Sequence, residues 1–165
     1  MGRAIDPSRA ICGIATCFGV PSQTGNAWSV DHFDLVLELE MPVPLKLNHG
    51  PIFNSWGLTD SLGTVERFAA VQYPAEGVLI RGEIGDADGF GDSILRDIAK
   101  SLSFEYFDPA WSFSVGALWD GEDQVILREI SLTKTPAYPD ARVLGVGPEA
   151  VELFAMLTEK RPVSR

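Results

Sequence analysis

At 165 residues the chain has room for one domain with a real core and is short for two. Its formal net charge of -10, with 13 basic residues scattered among 23 acidic ones, excludes a duplex-binding surface, because neutralising phosphates needs clustered Lys and Arg. Apolar content of 45% with 16 Gly and 11 Pro, and no apolar run near the roughly 20 residues of a membrane span, predicts a soluble protein of short strands and tight turns.

The first ten residues carry no apolar signal-peptide core, and Asp6 stands where myristoylation usually wants Ser or Thr, so a cytoplasmic protein is expected. Residues Ala10 to Val20 form a near-continuous apolar run, the pattern of a central strand buried on both faces. It holds the only two cysteines, Cys12 and Cys17. In an unbroken strand their odd separation puts them on opposite faces, which predicts two buried free thiols and no disulfide. A Cys-His hydrolase centred on Cys17 is a weaker alternative to a small core residue.

Trp28 to Leu39 fits both a strand and a helical face; a short helix capped by Asp31 is the preferred reading. Pro42 and Pro44 end it, and Leu45 to His49 reads as a brief strand ending at His49. Gly63 to Tyr73 and Gly77 to Ile84 form a predicted hairpin across Pro74-Ala75-Glu76. Asp92 is the predicted N-cap of a helix whose inward face is Ile94, Leu95, Ile98 and Leu102. Trp111 to Trp119 and Gln124 to Thr133 are predicted strands around the turn Asp120-Gly121-Glu122-Asp123. A loop from Lys134 leads into a last strand, 141–147. Pro148 then opens a helix over 148–160 with Val151, Phe154 and Leu157 inward, before a frayed tail at 161–165. Helices do not follow strands regularly enough for βαβ units. The predicted fold is therefore mainly β with helices (α+β): a small closed or partly open barrel of about six or seven strands flanked by two or three helices, as one domain over 1–165 with its core in 11–147.

Chemistry-bearing residues are few. His49 precedes a Gly-Pro loop, where a side chain can face a cleft; His32 lies beside Asp31 and Asp34 and reads as solvent-facing. Strand alternation puts Ser112, Ser114 and Gly116 on one face and Phe113, Val115 and Ala117 on the other. Glu129 lies mid-strand, where a carboxylate needs a partner or solvent. A Ser, a His and an orienting acid are the parts of nucleophilic hydrolysis, with Glu129 holding a histidine Nδ1. Asp86, Asp88, Gly91 and Asp92 suggest a Ca²⁺ loop, but Phe90 and Asp97 occupy positions that need ligands. No nucleotide or zinc motif appears, so no metal or cofactor is expected.

In order, the segments GIATCFGVP, LKLNHG, GVLIRGEI, FSVGA and REISLTKTPAYPDARV resemble the prohead (capsid-maturation) proteases of tailed bacteriophages, relatives of the herpesvirus assemblins. The last segment, matching "Glu-apolar-Ser-Leu … Pro-Ala … Ala-apolar", is the most specific. The resemblance covers about residues 11 to 147 and implies an assemblin-like barrel. It picks Ser114 over Ser112 as nucleophile, makes His49 the general base, and places Glu129 where assemblins carry a second histidine. Backbone amides of the loop Lys134 to Tyr138 are implied as the oxyanion hole. Departures are Gly50 where an Asp is common after the histidine, Ala117 in place of an aromatic, and Trp111 where a Gly is typical.

The resemblance implies a serine endopeptidase acting in the host cytoplasm within an assembling procapsid. Its substrates would be scaffold or the scaffold-like N-terminal part of the major capsid protein, and the enzyme itself. Self-association into a homo-oligomer is compatible with this; a nucleic-acid or membrane partner is not expected. The rivals are an inactive capsid-assembly or scaffold-binding module on the same barrel, and a carboxylate/His metal hydrolase.

Overall fold

The computed structural model describes residues 5–22, 25, 27–50, 52–54, 57–59, 61–85, 89–103, 111–119 and 123–160, by backbone alone at 52–54, 57–59 and 160. In chain order the strands are β1 (Ala10–Cys17), β2 (Val43–Leu47), β3 (Ile52–Asn54), β4 (Gly57–Thr59), β5 (Gly63–Val71), β6 (Gly77–Ile84), β7 (Ser112–Trp119), β8 (Val125–Thr133) and β9 (Val143–Val146). The helices are α1 (Asp34–Leu39), α2 (Phe90–Ser103) and α3 (Pro148–Lys160).

Seven strands form one sheet in the order β7-β8-β2-β5-β6-β1-β9, while β3 and β4 pair as a separate ribbon. The sheet curls until its ends meet: the Val143 amide of β9 donates to the carbonyl of Trp111, just before β7, at 3.2 Å. Closure depends on Gly13. A Cβ there would lie 2.7 Å from the Phe113 ring and 2.8 Å from the Val143 Cα, so any side chain would push β1 away from the seam. The result is the expected α+β architecture: among the described residues, a small barrel of seven strands flanked by three helices.

One apolar cluster fills the barrel, including Ile11, Leu45, Val65, Ile80, Ile98, Phe113, Ile130 and Leu132. A second lies outside, where Ala150 and Phe154 of α3 cover Cys12, Ile14, Val71 and Leu79. Every residue of β1 is buried because the strand lies between the two clusters, which explains its unbroken apolar run.

Several local expectations are corrected. A β-bulge between Ile14 and Thr16 inserts one residue against β6 and reverses the side-chain parity, so Cys12 and Cys17 both join the outer cluster. They remain free thiols. The segment after Trp28 enters a 3-10 turn (Val30–Phe33) before α1; the amide of Ser29, its N-cap, donates to His32 Nδ1 at 3.0 Å, and Asp31 lies inside the turn. His32 is half-buried, with its ring edge-on to Trp119 at 5.1 Å between centroids. α2 starts at Phe90, two residues before the expected cap, after Gly89 at φ 77°, and thereby packs Phe90 on the barrel core. Asp92 pairs instead with Arg9 at 2.6 Å. Leu102 is 44% exposed, not inward.

Asp86 and Asp88 of the Ca²⁺-like loop, Asp120 to Glu122 of the β7–β8 turn and the tail at 161–165 lie outside the described residues.

Candidate active site

β7 and β8 pair antiparallel with Ser112 opposite Thr133, Ser114 opposite Ser131 and Gly116 opposite Glu129. Directly opposed residues project to the same face, so these six form one polar patch, while Phe113, Ile130 and Leu132 project into the barrel. The patch is almost dry: Ser112 is 6%, Ser114 8%, Glu129 9%, Ser131 0% and Thr133 3% exposed. Five polar residues buried side by side need a reason, because burying polar groups costs free energy unless they are bonded.

Strict alternation along VILREISLT would set Leu127 on the face of Glu129. A bulge opposite the Gly116–Ala117 step makes Arg128 the extra residue, so Leu127 opposes Ala117 and packs on the barrel core while Glu129 turns to the polar face. Gly116 completes the arrangement. A Cβ there would lie 2.8 Å from Glu129 Cγ and 2.9 Å from Cδ, so the glycine makes room for the carboxyl group.

His49 arrives from β2, which runs parallel to β8 with Lys46 opposite Ser131 and Leu47 opposite Leu132. β2 ends at Leu47, not at His49 as the sequence suggested. Asn48 and His49 have φ of 52° and 61° in a turn closed by the Gly50 amide donating to Leu47 at 3.1 Å. Two consecutive left-handed residues make a tight primed turn, and Asn and His are among the non-glycine residues that tolerate this region. The Asn48 amide donates to Leu132 at 2.9 Å, fixing the turn against β8.

The turn delivers His49 to Glu129. Nδ1 of His49 bonds Oε1 of Glu129, with the imidazole side chain 44% exposed and the carboxylate side chain 11%. The His49 amide donates to Ser131 Oγ at 2.9 Å, and Ser131 Oγ donates to Glu129 Oε2 at 2.6 Å. Ser131 is the residue missed from the sequence. Its spacing of two from Glu129 on a strand already placed both on one face, but nothing marked it as a partner.

Of the three residues singled out from the sequence, the structure joins His49 to Glu129 directly and sets Ser114 on the same face, opposite Ser131. Among the described residues no hydrogen bond engages Ser114 Oγ; catalytic hydrogen bonds are often loose without substrate. In the loop after β8 the Thr135 amide is taken by Thr133 Oγ1 at 3.1 Å, and Pro136 has no amide hydrogen. An apolar groove of about 230 Å³ opens upstream on β8, lined by Leu35, Leu39, Met41 and Leu127 among others, away from the polar patch.

The cysteines have no part in this site. Burial pushes the Cys12 thiol up to about 12 and the Cys17 thiol up to about 11, from an ordinary 9.0, with the Asp140 charge adding to the latter. Native protein at pH 8 is therefore expected to resist alkylation by iodoacetamide until it is unfolded; fast labelling of Cys17 in the folded protein would overturn this. Both thiols ionise more easily in the unfolded chain, so stability should fall as pH rises above about 9.

Among the described residues no group of three or more His, Cys, Asp or Glu is placed to hold a metal, and no helix is long and apolar enough to cross a membrane. No protein-family model matches the chain. No curated protein matches it either. Solved structures of similar architecture include two viral proteases. One is the protease of KSHV in complex with a hexapeptide phosphonate inhibitor: TM-score 0.55 and 12% identity, covering 91% of this chain and 71% of that one. The other is the Kaposi's sarcoma-associated herpesvirus protease in complex with a dimer disruptor: TM-score 0.53 and 16% identity, covering 92% of this chain and 84% of that one. The fold is thus assemblin-like.

Proposed function

We propose that the protein is a serine endopeptidase in which Ser114 is the nucleophile, His49 the general base and Glu129 the group that orients the base. One observation carries this: His49 is held through Nδ1 by Glu129, which leaves Nε2 unengaged by the carboxylate, and Glu129 projects from the same strand face as Ser114. A carboxylate only accepts, so Nδ1 carries the proton and Nε2 the lone pair, the tautomer a general base needs. Nε2 takes the Ser114 hydroxyl proton as Oγ bonds to the scissile carbonyl carbon. The imidazolium, stabilised by Glu129, then returns that proton to the leaving amine as the C–N bond breaks. Water, deprotonated by the same nitrogen, releases the acyl group from Ser114.

The substrate follows from the sequence resemblance and is supported by the fold. It is scaffold or the scaffold-like N-terminal part of the major capsid protein, together with the enzyme's own chain, cleaved within an assembling procapsid in the host cytoplasm. Self-association belongs to the same reading, supported by the KSHV protease for which a dimer disruptor exists.

An inactive capsid-assembly module on the same barrel is the second reading, favoured by the lack of a hydrogen bond on Ser114 among the described residues. Labelling separates the two. An alkyl fluorophosphonate, which loses fluoride to an activated serine oxygen, should modify the wild-type protein at Ser114 and fail on His49→Ala. Absence of label from the wild type, with unfolded protein excluded by its thermal transition, would sink the protease reading.

A further inference from the structure

Ser131 holds together both ends of the residue that the mechanism uses as its base. Its hydroxyl is fully buried and contacts two parts of the site: it accepts from the backbone amide of His49 at 2.9 Å and donates to Glu129 Oε2 at 2.6 Å. Glu129 returns to the same histidine through Oε1 and Nδ1. The three bonds close a ring running from the His49 amide through the Ser131 hydroxyl and the Glu129 carboxylate to the His49 imidazole.

The polarity of this ring has one solution. A backbone amide only donates and a carboxylate only accepts, so the single hydroxyl proton of Ser131 must point at Oε2, and Nδ1 must carry the proton facing Oε1. The 2.6 Å separation falls in the range of a hydroxyl donating to a carboxylate, among the stronger hydrogen bonds in proteins. The bond to the His49 amide acts where the backbone most needs support, at a non-glycine residue with φ of 61°. A parallel ladder fixes Ser131 itself, because Lys46 of β2 is its partner three residues before His49.

We infer that Ser131 is a positioning residue for the base: its hydroxyl fixes the carboxylate of Glu129 and the turn of His49 together, and so keeps in place the acceptor that sets the Nδ1–H tautomer. The inference rests on the protease reading for its kinetic consequence, and on the ring alone for its tautomeric one. Ser131 is not a second nucleophile, because its only hydroxyl proton is committed to Glu129 and no part of it reaches solvent.

The test uses ¹⁵N-histidine NMR, which needs no activity. The chain has only two histidines, so His32→Gln assigns the spectrum. In the wild type His49 should appear as a single Nδ1–H tautomer with a downfield, slowly exchanging proton. Ser131→Ala should show a tautomer mixture with that proton broadened away, and Ser131→Thr, which restores a hydroxyl, should recover the single form. Hydrolysis by Ser131→Ala should fall by about 10- to 100-fold in kcat with KM within about twofold, the scale of groups that hold a histidine's partner rather than the histidine itself. An unchanged tautomer ratio in a folded Ser131→Ala protein overturns the inference. If that variant does not fold, failure of Ser131→Thr to show the wild-type tautomer does so. A wild type that hydrolyses nothing and takes no fluorophosphonate sinks the protease reading alone, because the tautomer comparison still decides the role of Ser131.

Discussion

Ser114→Ala should abolish processing of the cognate capsid protein on co-expression while leaving the fold untouched. The substitution deletes one oxygen. That oxygen makes no hydrogen bond among the described residues, and the Ser114 Cβ already packs in a site only 8% exposed, so Ala fits with no new void. Stability should change by less than about 0.5 kcal/mol, or roughly 2 °C in Tm. The chemical loss is far larger, since without Oγ the base has no proton to take and no covalent intermediate forms. Losing the nucleophile of a serine protease lowers kcat by about 10⁶-fold, near 8 kcal/mol of transition-state stabilisation. The measurement is the ratio of cleaved to intact capsid protein on a gel, with purified variant and wild type compared by thermal unfolding. Equal processing by both proteins would end the protease reading. So large a gap between the two effects is the signature of a residue kept for chemistry rather than for packing.

Much of the barrel could be read from the chain because its signals are local. β1 is apolar throughout because it lies between two cores, and the β5–β6 hairpin is marked by turn residues at its tip. β7 and β8 alternate cleanly over Ser112 to Gly116, and that stretch carries the polar patch. The error over the two cysteines has its cause in parity. A bulge adds one residue to one strand without any composition signal, and every side chain beyond it changes face. The bulge in β1 brought Cys12 and Cys17 to the same side, and the bulge at Arg128 let Leu127 turn inward while Glu129 stayed on the polar face.

At the site, Glu129 stood out in the sequence because a mid-strand carboxylate needs a partner, and His49 is that partner. The geometry of the pair was not legible, since it depends on the turn at Asn48-His49 and on the room left by Gly116. Ser131 escaped notice because a small hydroxyl residue on a strand looks ordinary until its two partners are known.

Glu129→Gln, nearly identical in shape, should lower kcat by about 10⁴-fold, and the ring explains why so small a change does so much. The carboxamide has one accepting oxygen and one donating nitrogen, and it can occupy the site in two ways. With oxygen towards His49, the Nδ1 proton is satisfied. The amide nitrogen then faces Ser131 Oγ, which already accepts from the His49 backbone and now has no acceptor for its own proton. With nitrogen towards His49, the oxygen accepts from Ser131 as before, and the amide donates to a bare Nδ1. Every group is then bonded, so the second orientation wins in a site where a lost hydrogen bond costs about 1–3 kcal/mol. Its consequence is a histidine protonated on Nε2, the nitrogen that must accept the proton of Ser114. The variant keeps its fold and loses its base through the wrong tautomer, at about 5 kcal/mol in the barrier. ¹⁵N NMR should show His49 moved from the Nδ1–H to the Nε2–H form. Adding Ser131→Ala to Glu129→Gln removes the group that forces this orientation, so the double variant should regain part of the Nδ1–H population. A Gln variant that keeps more than about a tenth of wild-type kcat, or an unchanged tautomer, would show that Glu129 does not govern the base.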